Sequence, residues 1–272
     1  MIFDLHTHTL YSDGVLTPGE LIARAVEKGV DVIAITDHDN IDAYAENPAV
    51  QGRLKLVPGI ELSTQWQHVG IHVLGLNIDL HSAAIATAAR VQSEIRLQRA
   101  RDIAENLAKK GIENTFDGAM KLSTGSYIGR PHFARHLINI GKVDSMHTAF
   151  KKYLGDGKAG DVKKQWAELP QIIQWIRGAG GLAVLAHPLK YKLTRTRLKR
   201  MLDVFIAAGG QGMEVISGQQ TAQQTSDMAQ LCEAKKLLAS CGSDFHTPGK
   251  PWAELGVFSA LPGRVVPVWE RF

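Results

Sequence analysis

Near the start of the chain, the run Asp4-Leu-His-Thr-His-Thr-Leu-Tyr-Ser-Asp13-Gly14 brings two imidazoles and a carboxylate close together. His6 and His8 are two apart, and residues two apart on a strand project to one face. Both rings can reach one point at the strand's end, and the Ser-Asp-Gly turn can fold Asp13 back over it. Imidazole plus carboxylate is the donor set of zinc, manganese and iron sites. The same residue types recur downstream. His38 follows the apolar run 31–36, Glu61 ends the run beginning at Leu54, and His72 lies inside the run 69–76. His187 follows 181–186, and Asp244 and His246 follow 237–241. Nine donors are too many for one ion. At about four to six donors per transition metal, some of them shared, they suit two or three ions, with a carboxylate such as Glu61 as bridge. Ions held that close suit hydrolysis of phosphate esters, with a metal-bound hydroxide as the attacking group and no Ser or Cys nucleophile. Asp37 and Asp39 flank His38 and are expected either to orient an imidazole or to carry a proton.

The elements that must position these groups alternate. The opening Met1-Ile-Phe reads as a short buried strand. Thr17-Pro18 opens a helix that Gly29 ends, with Thr as N-cap and Pro at the first helical position. The runs 31–36, 54–63, 69–76, 181–186, 212–216 and 237–241 read as strands, with helices near 41–46, 169–177 and 221–236 and a basic helix after 188. Repeated strand-helix units predict a parallel sheet closed into a barrel, whose strand ends converge on one face. Residues 81–165 break the rhythm. Ile85, Ala88, Val91, Ile95, Ile103 and Leu107 recur at near-helical spacing over 84–110, and 131–139 and 144–154 read as further helices. The expected organisation is a barrel in two parts, 1–80 and 166–272, with 81–165 as a helical cap.

With 272 residues, 44% hydrophobic and 21% charged, the chain suits a folded protein rather than a disordered one. Two cysteines, Cys232 and Cys241, make no disulfide framework, and no leader or membrane-length apolar run is evident, so a cytoplasmic location is expected. No obligate protein partner is evident. Charge is uneven: residues 81–165 carry 15 Lys and Arg against 8 Asp and Glu, whereas the remainder carries 16 against 19. Such a field suits an anionic ligand. Arg130 and His132 surround a Pro that starts a helix, where free backbone N–H groups and a guanidinium can meet one anion. Lys163 and Lys164 near the return to the barrel are further candidates. Residues 189–202 hold six cations and no acid.

Asp-Leu-His-Thr-His at 4–8, Ser-Asp-Gly at 12–14, Thr-Asp-His-Asp at 36–39, Gly-Ile-Glu at 59–61, Ala-His-Pro at 186–188 and Gly-Ser-Asp-Phe-His at 242–246 resemble the PHP (polymerase and histidinol phosphatase) family. The resemblance implies a distorted (β/α)7 barrel with a trinuclear site. It implies that His6, His8, Glu61 and Asp244 hold one ion, that Glu61, His72 and His187 hold a second, and that Asp13, His38 and His246 hold a third. Manganese is the expected metal, with iron and zinc as alternatives. The length, the helical cap and Gly129-Arg-Pro-His132-Phe-Ala look most like the phosphoesterases that act on 3′,5′-nucleoside bisphosphates and on short RNA from its 5′ end. A histidinol-phosphate phosphatase and a non-catalytic metal-binding module are the other readings. The first has a substrate with a cationic body, which has less use for a basic cap.

Overall fold

The computed structural model describes residues 1–50, 52–125, 127–162 and 166–272. Seven strands form one sheet in chain order: β1 (Phe3–Thr7), β2 (Val32–Ile35), β3 (Lys55–Trp66), β4 (Val69–Leu76), β5 (Leu182–Leu185), β6 (Gly212–Ser217) and β7 (Leu238–Gly242). The segment after β7 returns to β1. The Asp244 N–H donates to the His6 carbonyl and the His8 N–H to the Phe245 carbonyl, both at 2.9 Å, so the sheet is a nearly closed barrel.

The expectation of an all-parallel sheet needs correction. β4 runs antiparallel to both β3 and β5, while the other neighbours are parallel. Only Gln67 and His68 separate β3 from β4. That length closes a hairpin and leaves no room for the crossover helix a parallel pair requires. The first strand is also displaced from Met1-Ile-Phe. Pairing with β2 begins at Phe3, and Met1 and Ile2 are exposed. Asp4 is buried instead, accepting from the Ser243 and Gly256 N–H groups at 2.8 and 2.9 Å.

Eight α-helices surround the sheet: α1 (Pro18–Glu27), α2 (Ala83–Ala108), α3 (Thr115–Met120), α4 (Arg130–Asn139), α5 (Met146–Ala149), α6 (Leu169–Gly178), α7 (Arg195–Ala207) and α8 (Ala222–Ala234), counted among the described residues. Thr17 caps α1 as its sequence suggests, accepting from the Glu20 N–H at 3.2 Å while Glu20 reaches back to the Thr17 N–H at 2.8 Å. Leu21, Ile22 and Ala25 of α1 cover Ile33 and Ile35. Helices α6, α7 and α8 bury Ile172, Leu202 and Met228 against the other side of the sheet. The C-terminal turn seals the end away from the motif residues, with Trp269 stacked on Phe3 at 3.8 Å.

The segment between β4 and α6 has a core of its own, built from Ile103, Leu107, Phe133, Leu137 and Leu154. Helix α2 belongs to both bodies. Ile85 and Ala88 in its first half pack into the barrel core, and its second half carries the cap. Helix α3 escaped the sequence reading because it is six residues long with Gly118 inside it. The helix expected over 144–154 is α5 followed by a π-helical turn at Phe150–Leu154. Among the described residues no helix is long and apolar enough to cross a membrane.

Two glycines make the site geometrically possible. A Cβ on Gly242 would stand 2.4 Å from the His6 Cβ, and one on Gly14 would stand 2.4 Å from the His8 carbonyl oxygen. Gly242→Ala is therefore expected to force β7 and β1 apart at a cost of about 1–3 kcal/mol. In a thermal melt this reads as a drop of several degrees; an unchanged Tm would show that the seam has slack.

Candidate metal centre

Strand β1 carries His6 and delivers His8 one residue past its end. Their Nε2 atoms lie 3.1 Å apart. Glu61, midway along β3, places Oε2 3.3 Å from both nitrogens. Asp244, just beyond β7, places Oδ1 3.4 Å from His6 and 3.2 Å from His8. The other Glu61 oxygen, Oε1, is 2.9 Å from His72 Nδ1 and 3.0 Å from His187 Nε2. His72 reaches it from inside β4, which is why the antiparallel hairpin matters to the site. Asp13 Oδ1 gathers another group, 3.1 Å from His246 Nε2, 3.9 Å from His38 Nε2 and 4.0 Å from His8 Nδ1. His38 also turns Nδ1 to within 3.0 Å of Glu61 Oε2. All nine residues singled out in the sequence as donors thus come together, in four overlapping sets whose donor atoms lie within 4.8 Å of one another.

The arrangement suits cations better than hydrogen bonds. Glu61 Oε2, Asp13 Oδ1 and His38 Nδ1 are buried and have no hydrogen-bond partner, although imidazole or carboxylate atoms crowd them. Lone pairs point at shared space rather than donor at acceptor, and an unpaired buried polar atom costs about 1–3 kcal/mol. Charge is unbalanced too. Among the described residues, the carboxylates of Asp13, Glu61, Glu214 and Asp244 form ion pairs with one ammonium, that of Lys190 beside Asp244, and otherwise only with imidazoles. Divalent ions would satisfy both the lone pairs and the charge.

The titration of these groups reports the same imbalance. Burial disfavours charge on His6, but the Glu214, Glu61 and Asp244 carboxylates outweigh it and hold its pKa well above the ordinary range. On His8 burial is likewise outweighed by Asp244 and Glu61, and the pKa rises to about 10. Burial would raise Glu61, Asp13 and Asp244, yet the surrounding imidazoles and Lys190 hold all three well below the carboxylate range. His38 goes the other way, down to about 4, because its burial exceeds the help from Glu61 and Asp13. Backbone strain collects here as well. Asp39, His187 and Asp244 sit at φ of 56°, 27° and 54°, in left-handed backbone that non-glycine residues adopt at a cost.

The residues that hold the donors in place were less visible in the sequence. Glu214, buried in β6, bonds His6 Nδ1 at 3.0 Å and accepts from the His187 N–H at 2.5 Å. A proton on His6 Nδ1 leaves the Nε2 lone pair facing the cluster. In the sequence Glu214 is marked only as a lone acid in the apolar run Gly212-Met-Glu-Val-Ile216. Asp37 accepts from the Thr9 N–H at 2.7 Å and from the Thr9 and Ser12 hydroxyls at 2.5 Å, bracing the loop that carries Asp13. Asp39 accepts from the Ser63 N–H at 2.6 Å and from Gln92 at 2.8 Å, and pairs with Arg96 at 2.5 Å. Neither carboxylate is hydrogen-bonded to an imidazole; both brace loops.

Arg96 begins a cationic wall on the cap side. Its guanidinium lies 4.2 Å from the Tyr127 ring centroid, and Tyr127 stacks on His38 at 5.8 Å. Arg99, one turn along α2, donates to the Val162 carbonyl at 3.1 Å. Its pKa falls to about 10 because it is buried and faces the positive charges of Arg130 and Arg96. Arg130 donates to the Leu154 carbonyl at 3.2 Å. His132 is buried and accepts from the Gly129 N–H at 3.2 Å through Nδ1. Burial and Arg135 push its pKa down to about 4, so it stays neutral and closes the start of α4. Lys163 and Lys164 lie outside the described residues.

The PHP domain family model matches residues 4–218. The chain belongs to the PHP family. The matched span includes seven of the nine donors; Asp244 and His246 lie beyond it. The chain is 43% identical over 272 residues to a 5′-3′ exoribonuclease of Haemophilus influenzae, covering 99% of this chain and 98% of that one. It is 42% identical over 271 residues to a 3′,5′-nucleoside bisphosphate phosphatase of Chromobacterium violaceum, covering 98% and 95%. Among solved structures, an amidohydrolase from C. violaceum with bound sulfate and no metal superposes with a TM-score of 0.90 at 40% identity, covering 100% and 95%.

Proposed function

We propose that this PHP protein is a metal-dependent phosphoesterase. It removes the 3′-phosphate of nucleoside 3′,5′-bisphosphates, leaving a 5′-nucleotide such as AMP, and releases nucleotides from the 5′ end of short RNA. The observation that carries the reading is Glu61, whose two oxygens serve different imidazoles, Oε2 those of His6, His8 and His38 and Oε1 those of His72 and His187. Relatives at 42% and 43% identity with these two activities support it. The ligand sets we propose, as the PHP resemblance implies, are His6, His8, Glu61 and Asp244; Glu61, His72 and His187; and Asp13, His38 and His246. When bound, such ions polarise phosphoryl oxygens and make a hydroxide available at neutral pH. The chain's own part is to fix the donors. Glu214 sets the His6 tautomer and anchors the His187 backbone, and Asp37 holds the loop bearing Asp13.

The second phosphate of a bisphosphate needs cations away from the cage, and Arg99 and Arg130 supply them. Burial and the positive charges of Arg130 and Arg96 disfavour the charge on Arg99, and an anion bound beside them would relieve that repulsion. A histidinol-phosphate-like substrate would bring a cation to that wall, which disfavours it. Purified protein supplied with Mn²⁺ is expected to release phosphate from adenosine 3′,5′-bisphosphate much faster than from an amino-alcohol phosphate; the reverse preference would refute the substrate assignment. Arg99→Ala is expected to raise KM for the bisphosphate by about 10–100-fold, the worth of one charge-assisted hydrogen bond. Its kcat should change far less. A KM equal to the parent's would remove Arg99 from substrate binding.

A further inference from the structure

The arginine wall meets the barrel at Asp39 and Ser63, after β2 and in β3, whereas a cleft of about 190 Å³ lies between the turn after β5 and the start of α8. It is lined by His187, Lys190, Gln219, Gln220, Gln224 and Met228, so its floor is a cage residue and its wall carries amides. Beyond it the segment 189–202 continues with six cations and no acid. Lys190, Lys192, Arg195, Arg197, Lys199 and Arg200 are all exposed. The basic segment and the cleft share a wall. Arg195 at the start of α7 donates to Gln230 of α8 at 3.0 Å, two residues past the cleft-lining Met228. Arg197 leans the other way, to Gln67 in the β3–β4 turn at 3.4 Å. The basic face thus spans from the cleft to the hairpin that carries His72.

We propose that this cleft and the basic face of α7 form the exit track for the 3′ portion of a single-stranded RNA. The inference rests on the phosphoesterase reading above and extends it. With the 5′-phosphate at Arg99 and Arg130 and the bond to be cut at the cage, the next nucleotide must leave on the opposite flank. That flank is where the amide-lined cleft lies. The phosphates that follow need cations spaced along one surface. Lys190 pairs with Asp244 and Glu214 also lines the cleft, so Lys192, Arg195, Arg197, Lys199 and Arg200 are the cations offered. The Gln219 side-chain amide offers a donor and an acceptor, and Gln224, whose Oε1 accepts from the Thr221 N–H, offers its NH₂, which suits base edges of any sequence. Backbone neutralisation of this kind is sequence-independent and weakens with salt, by a log–log slope of about 0.7 per phosphate contact on single strands.

The test compares two substrates on one variant. Lys192→Glu combined with Arg195→Glu alters exposed side chains only. Against a 5′-phosphorylated pentaribonucleotide with Mn²⁺, the double variant is expected to raise KM about 10-fold and to flatten the salt dependence by more than one log–log unit. Against adenosine 3′,5′-bisphosphate, which ends before the track, its kinetics should match the parent's. That pattern also shows that the variant is folded. Parental KM and salt slope on the pentamer, with bisphosphate turnover intact, would overturn the track alone. A parent inactive on both substrates would overturn the phosphoesterase reading, and the track with it. Equal loss on both substrates would place the two residues in general folding and overturn the track.

Discussion

Glu61→Gln is expected to lower phosphate release by about a thousand-fold or more, the scale on which loss of one preorganised electrostatic contact acts in catalysis. The substitution keeps size and shape, so its effect is chemical. A carboxylate presents acceptors at both ends. Here one end faces His6, His8 and His38 and the other faces His72 and His187. An amide presents one oxygen and one NH₂, so one of the two groups must lose its shared partner. Stability should fall as well. In chelator-treated protein the imidazoles around Glu61 outweigh its burial and hold its carboxyl well below the usual range, so its charge stabilises the fold above the ordinary carboxylate pKa. The variant is expected to melt below the parent at neutral pH under those conditions, with the gap closing as pH falls through the carboxylate range. Activity within ten-fold of the parent would show that Glu61 is a structural acid.

Glu214→Gln is expected to weaken metal binding by 10–100-fold, the usual worth of a carboxylate that orients a ligand imidazole. Glu214 accepts through two different oxygens, from His6 Nδ1 and from the His187 backbone. Glutamine can satisfy only one of those donors and turns its NH₂ toward the other. Since Glu214 acts through His6 and His187, the signature is a shift in metal requirement. Activity titrated with Mn²⁺ should need 10–100 times more metal, with kcat recovering toward the parent value at saturation. A kcat loss that metal cannot rescue would assign Glu214 a direct role in the reaction.

The contrast between Glu61 and Glu214 shows what could be read from the sequence. His38, His187, Asp244 and His246 stand just past strand ends, where polar residues after an apolar run are conspicuous and where barrels build their sites. Glu61 is marked because it follows the run from Leu54, although β3 continues past it to Trp66. Glu214 stands inside a strand, and one acid among apolar neighbours carries no spacing to mark it. Helix α2 misled for a related reason. Counting apolar residues put Val91 and Ile95 on its buried face, yet Gln92 and Arg96 are the buried residues there. They are polar because the face they join is not an apolar core: Asp39 and Ser63 meet them. Periodicity of hydrophobicity cannot reveal a helix stripe whose partner is an ion pair. Strand direction was hidden likewise, because apolar runs look alike in either sense; the two-residue gap between Trp66 and Val69 was the local clue. The cationic wall was visible only as net charge in 81–165, since which arginines turn inward depends on Tyr127 and the cap's own core.

The central claim is that one cage of scattered imidazoles and carboxylates holds more than one ion. Elemental analysis of protein incubated with Mn²⁺ and passed through a desalting column tests it most directly. Two to three ions per chain are expected for the parent, and at least one fewer for Glu61→Gln. A parent that retains no divalent metal would contradict the account, and so would a Glu61→Gln variant that retains the full complement.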